Sequence, residues 1–263
     1  MTESCALFSD GSAYERSMGR WSQLVAQRFL TWLALPPGLD WLDGGCGNGA
    51  FTEVIVRQCA PSSIHAFDPS QAQIDFAARR QGCAMAQFRG GDAQHIPYCD
   101  SQFDAAVMGL VISFIADPSK AIAELARVTR PGGCVATYMW DTQNGGHPAN
   151  PVNAAIKAMG IARSGAPHNA SANIDRMREL WVATGLVNIE TSVVRIPVTY
   201  SDFDDFWQSN IISTGPLGQT LQSLEPHQTR ELQDRLRKDL MTGNSGAISY
   251  EAFANAVKGE VPS

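Results

Sequence analysis

Between residues 39 and 140, short apolar segments of strand length alternate with segments whose apolar residues recur at helical spacing. One predicted helix runs from about residue 50 to residue 58, and another begins at Asp117-Pro118, a favourable cap and first-turn pair. Strands that alternate with helices form parallel sheets with right-handed crossovers and helices on both faces. The order of elements therefore predicts an α/β fold with a doubly wound sheet. The predicted strands of this region are residues 39–43, 64–68, 85–89, 103–108 and 134–140.

The N-terminal segment, residues 1–35, is predicted to be a helical lid. Ser12 and Glu15 have the spacing of a capping box, which begins a helix. Gly19 lowers helix propensity in the middle of the segment and predicts a joint there between two short helices. The helix after the joint has an apolar face that anchors it to the sheet. We therefore expect the residues before Gly19 to close over a ligand.

Two segments late in the chain break the alternation and are predicted to be cap insertions over a substrate pocket. Residues 142–173 are rich in Asn, Gly, Pro and Ala and are predicted to be irregular, whereas residues 201–246 are predicted to be mostly helical. A helix at residues 174–184 and a strand at residues 187–200 lie between them. A last strand is predicted at residues 247–257. We expect residues 1–263 to form a single domain.

Composition argues against several classes of partner. The chain has 263 residues, 20 Lys plus Arg against 26 Asp plus Glu, and a formal net charge of −6. It therefore lacks the broad positive surface that nucleic acids require. No apolar run reaches the roughly 18 residues of a membrane span, and the N-terminus lacks the features of a secretory signal. The six cysteines lack zinc-ligand spacing. We expect a cytoplasmic monomer or homodimer with reduced thiols and no metal.

A glycine-rich turn, GGCGNG at residues 44–49, joins the first strand to its helix. In open parallel sheets, ligands bind outside the carboxyl ends of the strands. Glycine lets the backbone approach such a ligand closely, and the following helix presents its amide donors. Asp68 ends the second strand, where a carboxylate can accept hydrogen bonds from both hydroxyls of a ribose. This pattern favours an adenosine-containing cofactor over a simple tight turn.

Two cofactor classes fit the glycine turn. Residues 45–50 match the G-x-G-x-x-A pattern of dinucleotide-binding folds, so an oxidoreductase that uses NAD(P) is one alternative. However, the carboxylate of Asp43 opposes a phosphate and suits the ammonium group of S-adenosylmethionine. Asp92 can accept a hydrogen bond from the adenine amino group, and the Ala93 amide can donate to a ring nitrogen. These acids favour S-adenosylmethionine, bound either by an enzyme or by a non-catalytic binding protein.

Five segments, in this order, resemble the class I S-adenosylmethionine-dependent methyltransferases, specifically the type 11 branch that methylates small molecules. The segments are WLDGGCGNG (residues 41–49), FDPS (67–70), GDAQHIP (91–97), FDAAV (103–107) and ELARVTRPGG (124–133). Gly44 departs from the family, in which a branched apolar residue is common there. The resemblance implies a seven-stranded sheet of order 3-2-1-4-5-7-6 with the last strand antiparallel. It also implies methyl transfer to a small-molecule acceptor, which gives S-adenosylhomocysteine.

The resemblance also implies a cofactor site. The methionine part is expected beside Asp43 and the glycine turn, the ribose beside Asp68, and the adenine beside Asp92 and Ala93. Arg20 is expected either to reach the cofactor carboxylate from the lid or to lie on a solvated helix face. Cys46 is expected to contact the cofactor through its backbone and not to act as a nucleophile. The expected cofactor-binding residues are Arg20, from its place in the lid, and those that the resemblance implies: Asp43, Gly45, Cys46, Gly47, Asp68, Pro69, Gln73, Asp92, Ala93, Met108, Gly109 and Leu110.

The acceptor and the catalytic residues are less defined. A nucleophilic acceptor needs mainly orientation, whereas a weakly acidic acceptor also needs a base. Each candidate base also has a structural interpretation as a core, loop or helix-end residue. The apolar residues of the second cap either line a pocket for a hydrophobic or planar molecule or attach the cap to the sheet. The candidate bases are Tyr14, Tyr138, Asp141, His147 and His227, and the apolar cap residues are Phe203, Phe206, Trp207, Ile211 and Ile212.

Overall fold

The computed structural model describes residues 18–161, 169–211, 216–240 and 246–263, which form a seven-stranded sheet flanked by helices. The strands are β1 Asp40–Gly44, β2 Ser63–Asp68, β3 Ala86–Gly90, β4 Phe103–Gly109, β5 Thr129–Trp140, β6 Val187–Tyr200 and β7 Ile248–Glu260. The helices are α1 Arg20–Leu33, α2 Ala50–Cys59, α3 Gln71–Ala77, α4 Pro118–Val128, α5 Asn150–Ala158, α6 Ile174–Ala183, α7 Phe203–Ile211, α8 Pro216–Gln222 and α9 Pro226–Leu240. None of the helices in these described ranges is long and apolar enough to cross a membrane.

The strand order is β3-β2-β1-β4-β5-β7-β6, which confirms the predicted fold class and order. The pairs from β3 to β5 are parallel, and β7 is antiparallel to both β5 and β6. The chain moves outward from β1 to β2 and β3, and then returns to place β4 on the other side of β1. The strand order therefore reverses between β1 and β4, which is where doubly wound sheets bind their ligands.

The central strands β1 and β4 are buried on both faces, as the continuous apolar sequence of β4 predicts, whereas the edge strand β3 and the first half of β6 are largely exposed. Successive residues of β1 illustrate this, because Trp41 belongs to the core under α1 and α2, whereas Leu42 belongs to the core under α4 and α6. In the first core Phe29 of α1 packs against Tyr138 of β5, with ring centroids 4.5 Å apart. The two cores hold β1 rigidly, so the residues at its carboxyl end are well positioned.

Several predicted elements differ from the structure. Residues 142–173 are not wholly irregular, because α5 lies within them and buries Val152, Ala155 and Ile156 against α9. β5 begins at Thr129 instead of residue 134, because Thr129 pairs with Phe103 of β4 and Gly132 donates its amide to the carbonyl of Val261.

The predicted N-terminal lid lies largely outside the described residues. Residues 1–17, which contain Ser12, Tyr14 and Glu15, are not described. Residues 18 and 19 form a wide π-type turn that leads directly into α1, and Gly19 has helical backbone angles. The apolar face predicted for α1 is buried as expected, with Val25 and Phe29 fully inside the core. The lid and the two caps over a substrate pocket remain predictions.

The last two strands extend past the carboxyl edge of the sheet. Trp140, the last residue of β5, pairs with Ala254, which pairs in turn with Val194. Residues 195–200 and 248–253 continue beyond this point as a two-stranded ribbon. The segment with α7, α8 and α9 connects the two strands of the ribbon.

The aromatic residues of α7 attach this helix to the ribbon. Phe206 packs against Tyr200 of β6, with ring centroids 5.2 Å apart, and Phe203 stacks on Trp207. All three α7 rings are buried in the core under α1. These apolar residues were expected either to line a pocket or to attach the cap to the sheet. In the structure they attach the cap to the sheet. Ile211 is half-buried, and Ile212 lies outside the described residues.

Candidate cofactor site

The glycine turn is tied to the end of β2 by backbone hydrogen bonds. The amides of Gly45 and Cys46 both donate to the carbonyl of Phe67, at 2.8 Å and 3.0 Å. Gly45, Gly47 and Gly49 all have positive φ angles, of +71°, +52° and +80°. Side chains are strained in this region of backbone space, so the sequence folds this way because it has glycine there.

The space around these glycines differs from one position to the next. A Cβ atom on Gly45 would lie 2.7 Å from a methyl carbon of Val111, whereas a Cβ on Gly47 would meet nothing within 4 Å. The absent side chain of Gly45 thus accommodates Val111, and Gly47 borders open space in which a ligand can lie. At Gly44 a Cβ would come within 3.1 Å of Phe67, which explains glycine where the family commonly has a branched residue.

Asp43 is a buried carboxylate at the end of β1, with a relative exposure of 1%. Its Oδ2 accepts a hydrogen bond of 2.7 Å from the Thr52 hydroxyl in the first turn of α2. Its Oδ1 is buried and accepts no hydrogen bond from any described residue. Burial raises the pKa of Asp43 to about 7, the Thr52 hydrogen bond opposes this rise, and the nearby Asp68 adds to it. A buried acceptor of this kind is costly unless a donor meets it.

Asp68, at the end of β2, connects the glycine turn to α3. Its Oδ2 accepts a hydrogen bond from the Gly47 amide and its Oδ1 accepts one from the Ser70 amide, both at 2.9 Å. Burial raises its pKa, and the two backbone donors oppose this rise. Each carboxylate oxygen can accept a second hydrogen bond, so both remain able to accept from a ribose hydroxyl. Asp68 therefore shapes the turn as well as lying at the predicted ribose position.

The segment that carries Asp92 and Ala93 is fixed by α4. Asp92 is exposed, and its Oδ1 accepts a hydrogen bond of 2.8 Å from the Gln94 amide, while Ala93 is buried. Glu124 accepts from the Ile96 amide at 2.8 Å, and Arg127 donates to the Ile96 carbonyl at 3.0 Å. This arrangement holds the predicted adenine contacts at the edge of the sheet beside β2.

The end of β4 turns sharply beside the glycine turn. Leu110 adopts a φ of +62°, which is unusual for a residue other than glycine, and its amide donates to the Tyr138 carbonyl at 2.9 Å. A Cβ on Gly109 would lie 2.7 Å from the Phe51 ring and 2.9 Å from the Tyr138 hydroxyl oxygen. Met108 is buried in the core. Strained backbone of this kind is common at functional sites.

Three other predicted cofactor residues have clear positions. Pro69 is exposed directly after Asp68, and Gln73 is buried in α3. The Arg20 guanidinium lies 4.5 Å from the Tyr200 ring centroid, and its Nη2 lies 3.5 Å from a carboxylate oxygen of Asp205. Arg20 therefore contacts the ribbon and α7, and its contact with the cofactor carboxylate remains a prediction.

The described candidate bases mostly make structural contacts. The Asp141 carboxylate accepts hydrogen bonds from the Asn144 amide and from the Asn255 side chain, at 3.1 Å and 3.0 Å. Nδ1 of His147 accepts from the amide of residue 149 at 3.0 Å, just before α5. Tyr138 is a core residue, and His227 is exposed at the start of α9. Tyr14 lies outside the described residues. The role of a base remains a prediction for each of them.

Two residues that contact the site, Thr52 and Val111, are not among those predicted from the sequence. Thr52 could have been found from its position in the first turn of the helix that follows the Asp43 strand, whereas Val111 carries no signal in the sequence. Cys46 was predicted not to be a nucleophile. Burial and the neighbouring Asp43 and Asp68 carboxylates raise the pKa of its thiol well above the ordinary value, which favours the unreactive protonated form.

These residues fit S-adenosylmethionine better than a dinucleotide. An ammonium group can donate to the buried Oδ1 of Asp43, and two ribose hydroxyls can donate to Asp68. A pyrophosphate at the same turn would face the Asp43 carboxylate, which repels it when ionised, whereas Asp68 suits the ribose of either cofactor.

Comparison with known proteins agrees with this assessment. Residues 42–137 match a family model described as a methyltransferase domain. The chain is 32% identical over 130 residues to a malonyl-[acyl-carrier protein] O-methyltransferase of Serratia marcescens, covering 47% of this chain and 49% of the relative. It is 30% identical over 131 residues to a demethylmenaquinone methyltransferase of Lactobacillus johnsonii, covering 48% and 52%. The chain thus spans about half the length of these curated relatives.

Solved structures share the fold over almost the whole chain. Phosphoethanolamine N-methyltransferase 2 of Haemonchus contortus, in complex with S-adenosyl-L-methionine, matches with a TM-score of 0.58 and 16% identity, covering 100% of this chain and 61% of that chain. An S-adenosylmethionine-dependent methyltransferase of Thermotoga maritima matches with a TM-score of 0.58 and 15% identity, covering 98% and 100%.

Proposed function

Because residues 42–137 of this chain belong to the class I S-adenosylmethionine-dependent methyltransferases, we propose that the protein transfers a methyl group from S-adenosylmethionine to a small-molecule acceptor. The reaction is an in-line displacement that gives S-adenosylhomocysteine. The observation that carries this proposal is the buried Asp43 carboxylate, whose Oδ1 accepts no hydrogen bond within the described part of the chain. A second buried carboxylate, Asp68, ends the neighbouring strand. This pair suits a ligand with one ammonium group and a ribose.

The chain contributes binding and orientation. Asp43 would accept from the ammonium group, Asp68 would accept from the ribose hydroxyls while it holds the Gly47 amide, and Asp92 and Ala93 would contact the adenine. Met108, Gly109 and Leu110, at the end of β4, would hold the part of the cofactor that carries the sulfur atom.

When bound, S-adenosylmethionine supplies a methyl group on a positively charged sulfur, and transfer to an acceptor lone pair leaves the bonding electrons on that sulfur. The protein aligns the acceptor with this methyl group and excludes water. Such alignment can lower a reaction barrier by roughly 7–11 kcal/mol. An acceptor that carries a weakly acidic proton loses it to a base or to solvent.

The acceptor is expected under the caps formed by residues 142–173 and 201–246. Within the lid of residues 1–35, the part before Gly19 is expected to close the site, because the helix after Gly19 is anchored in the core. The two relatives are named for different acceptors, one for malonyl-[acyl-carrier protein] and one for demethylmenaquinone. A small hydrophobic or planar acceptor stays a prediction from the sequence, because Phe203, Phe206 and Trp207 of the second cap are buried in the core.

Ligand-induced stabilisation tests the cofactor. S-adenosylhomocysteine should raise the melting temperature of the purified protein, because a ligand that binds only the folded state stabilises it. NADH should leave the melting temperature unchanged. The opposite result would favour the nicotinamide-dependent oxidoreductase and refute the proposal.

Transfer itself requires a second experiment. The protein is incubated with methyl-labelled S-adenosylmethionine and a panel of carboxylic acids, phenols and amines, and the label is followed into products. Transfer to any member supports an enzyme. Tight binding of S-adenosylhomocysteine without transfer to any member favours the alternative of a non-catalytic binding protein.

A further inference from the structure

We propose that Thr52 is a positioning residue for the cofactor, whose hydroxyl holds the Asp43 carboxylate so that its Oδ1 can pair with the ammonium group of the methionine moiety. The inference rests on the function proposed above. It assigns a role to a residue outside the glycine turn and outside the predicted site.

The contact between the two side chains is well defined. Thr52 is fully buried in the first turn of α2, and its hydroxyl donates to Oδ2 of Asp43 at 2.7 Å. A hydrogen bond of this length to a carboxylate is typical of a charge-assisted bond. The branched side chain of threonine has few rotamers, which limits the directions that the hydroxyl can take. The bond therefore fixes one carboxylate oxygen and leaves the other to a ligand.

The surroundings of Asp43 otherwise disfavour its charged form. The Asp68 carboxylate faces it from β2 and adds to the effect of burial, whereas the nearby thiols of Cys46 and Cys83 have raised pKa values and are uncharged. Burial is the largest cause that raises the pKa of Asp43 to about 7, and the Thr52 hydrogen bond is the cause that lowers it. Without this hydroxyl, Asp43 should be protonated up to a higher pH, and a protonated carboxyl attracts an ammonium group far less.

The test measures binding of S-adenosylhomocysteine by calorimetry between about pH 5.5 and about pH 8.5, where Asp43 titrates. The wild-type protein should lose affinity as the pH falls below about 7. Thr52→Ser keeps the hydroxyl and should show the same profile. Thr52→Val should bind roughly three- to tenfold more weakly at neutral pH, with its midpoint moved to higher pH and its affinity recovering there. Thr52→Ala removes the hydroxyl as well and replaces Thr52→Val if that variant does not fold.

The variant Asp43→Asn removes the carboxyl whose titration is expected to cause the pH dependence of binding. It should flatten the pH profile, and adding Thr52→Val to it should cause no further shift in pH dependence. A purely structural role for Thr52 predicts instead that Thr52→Val weakens binding by the same factor at every pH, and that result overturns the inference. An unchanged Thr52→Val profile overturns it as well. Failure of the wild-type protein to bind S-adenosylhomocysteine at any pH refutes the proposed function, and this inference with it.

Discussion

Glycine is required at positions 45 and 47 of the turn for different reasons, and substitution by alanine can distinguish them. Gly45 and Gly47 both have positive φ, but only a side chain on Gly45 would collide with Val111. Gly47→Ala should therefore cost only about 1–2 kcal/mol of folding free energy, from backbone strain, yet weaken S-adenosylhomocysteine binding. Gly45→Ala should cost roughly 2–4 kcal/mol, because overpacking adds to the strain. Urea denaturation and calorimetry measure the two effects.

Gly185 provides the matched control for these variants. It has a φ of +82°, and a Cβ there would meet nothing within 4 Å, but it lies in the turn between α6 and β6. Gly185→Ala should show the backbone cost of Gly47→Ala with unchanged affinity for S-adenosylhomocysteine. If Gly47→Ala binds this ligand as tightly as the wild-type protein, the open space beside Gly47 is not the cofactor site.

At the scale of single residues, the sequence predicts which residues lie at the strand ends better than it predicts which contacts they make. Asp43 and Asp68 could be found because carboxyl ends of parallel strands share one edge of the sheet. The Thr52 bond to Asp43 and the packing of Val111 against Gly45 depend on how helix and strand ends approach in space. The position of Thr52 in the first turn after the Asp43 strand indicates that the two residues are near each other but not that they are bonded, and no periodicity or spacing encodes the position of Val111.

At the scale of elements, α4 should control adenine recognition without touching the adenine. Arg127 donates to the Ile96 carbonyl and to Glu124, and Glu124 accepts from the Ile96 amide. These bonds hold the segment that carries Asp92. Arg127→Met keeps much of the aliphatic packing but removes the donors. It should weaken S-adenosylhomocysteine binding severalfold and lower the unfolding free energy by about 1–3 kcal/mol, as measured by calorimetry and urea denaturation.

Arg130 is the control for loss of a guanidinium from the same region of the chain. Its guanidinium nitrogens lie 2.6 Å and 3.1 Å from carboxylate oxygens of Asp104 and Asp40, at the amino ends of the strands and away from the cofactor site. Arg130→Met should change stability only slightly, because partly exposed ion pairs contribute little, and it should leave affinity unchanged. Equal losses of affinity in Arg127→Met and Arg130→Met would show that α4 does not act through the Asp92 segment.

Element boundaries follow the sequence closely where one pattern dominates. The predicted range of β6, residues 187–200, agrees with the structure at both ends, because its β-branched residues alternate with polar ones between turn signals. α5 was missed because Asn, Pro and Gly around it resemble a loop, although Val152, Ala155 and Ile156 have helical spacing. Contact of these residues with the core stabilises the helix despite its flanks.

At the scale of the whole molecule, the buried carboxylate of Asp43 lowers the unfolding free energy of the cofactor-free protein. Asp43 has a folded-state pKa of about 7, above the ordinary value of 3.8. Asp43 therefore has the smallest effect on the unfolding free energy at low pH, where its carboxyl is neutral in both the folded and the unfolded states. As the pH rises from about 4 through about 7, the unfolded state ionises first, and stability is lost. An ammonium group paired with Asp43 would restore part of that loss.

Asp43→Asn tests this trade-off between stability and binding. Without ligand, the variant should be more stable than the wild-type protein at about pH 8, by about 1–3 kcal/mol, because no charge is buried. At about pH 4 this advantage should disappear, since the wild-type carboxyl is then neutral as well. S-adenosylhomocysteine should raise the wild-type melting temperature more at about pH 8 than at about pH 5.5, and the variant should lack this difference. Asp239→Asn, at an exposed position of α9, controls for the loss of one negative charge. A cofactor-free Asp43→Asn protein that is no more stable than the wild type at about pH 8 would show that Asp43 is not held at a cost to folding.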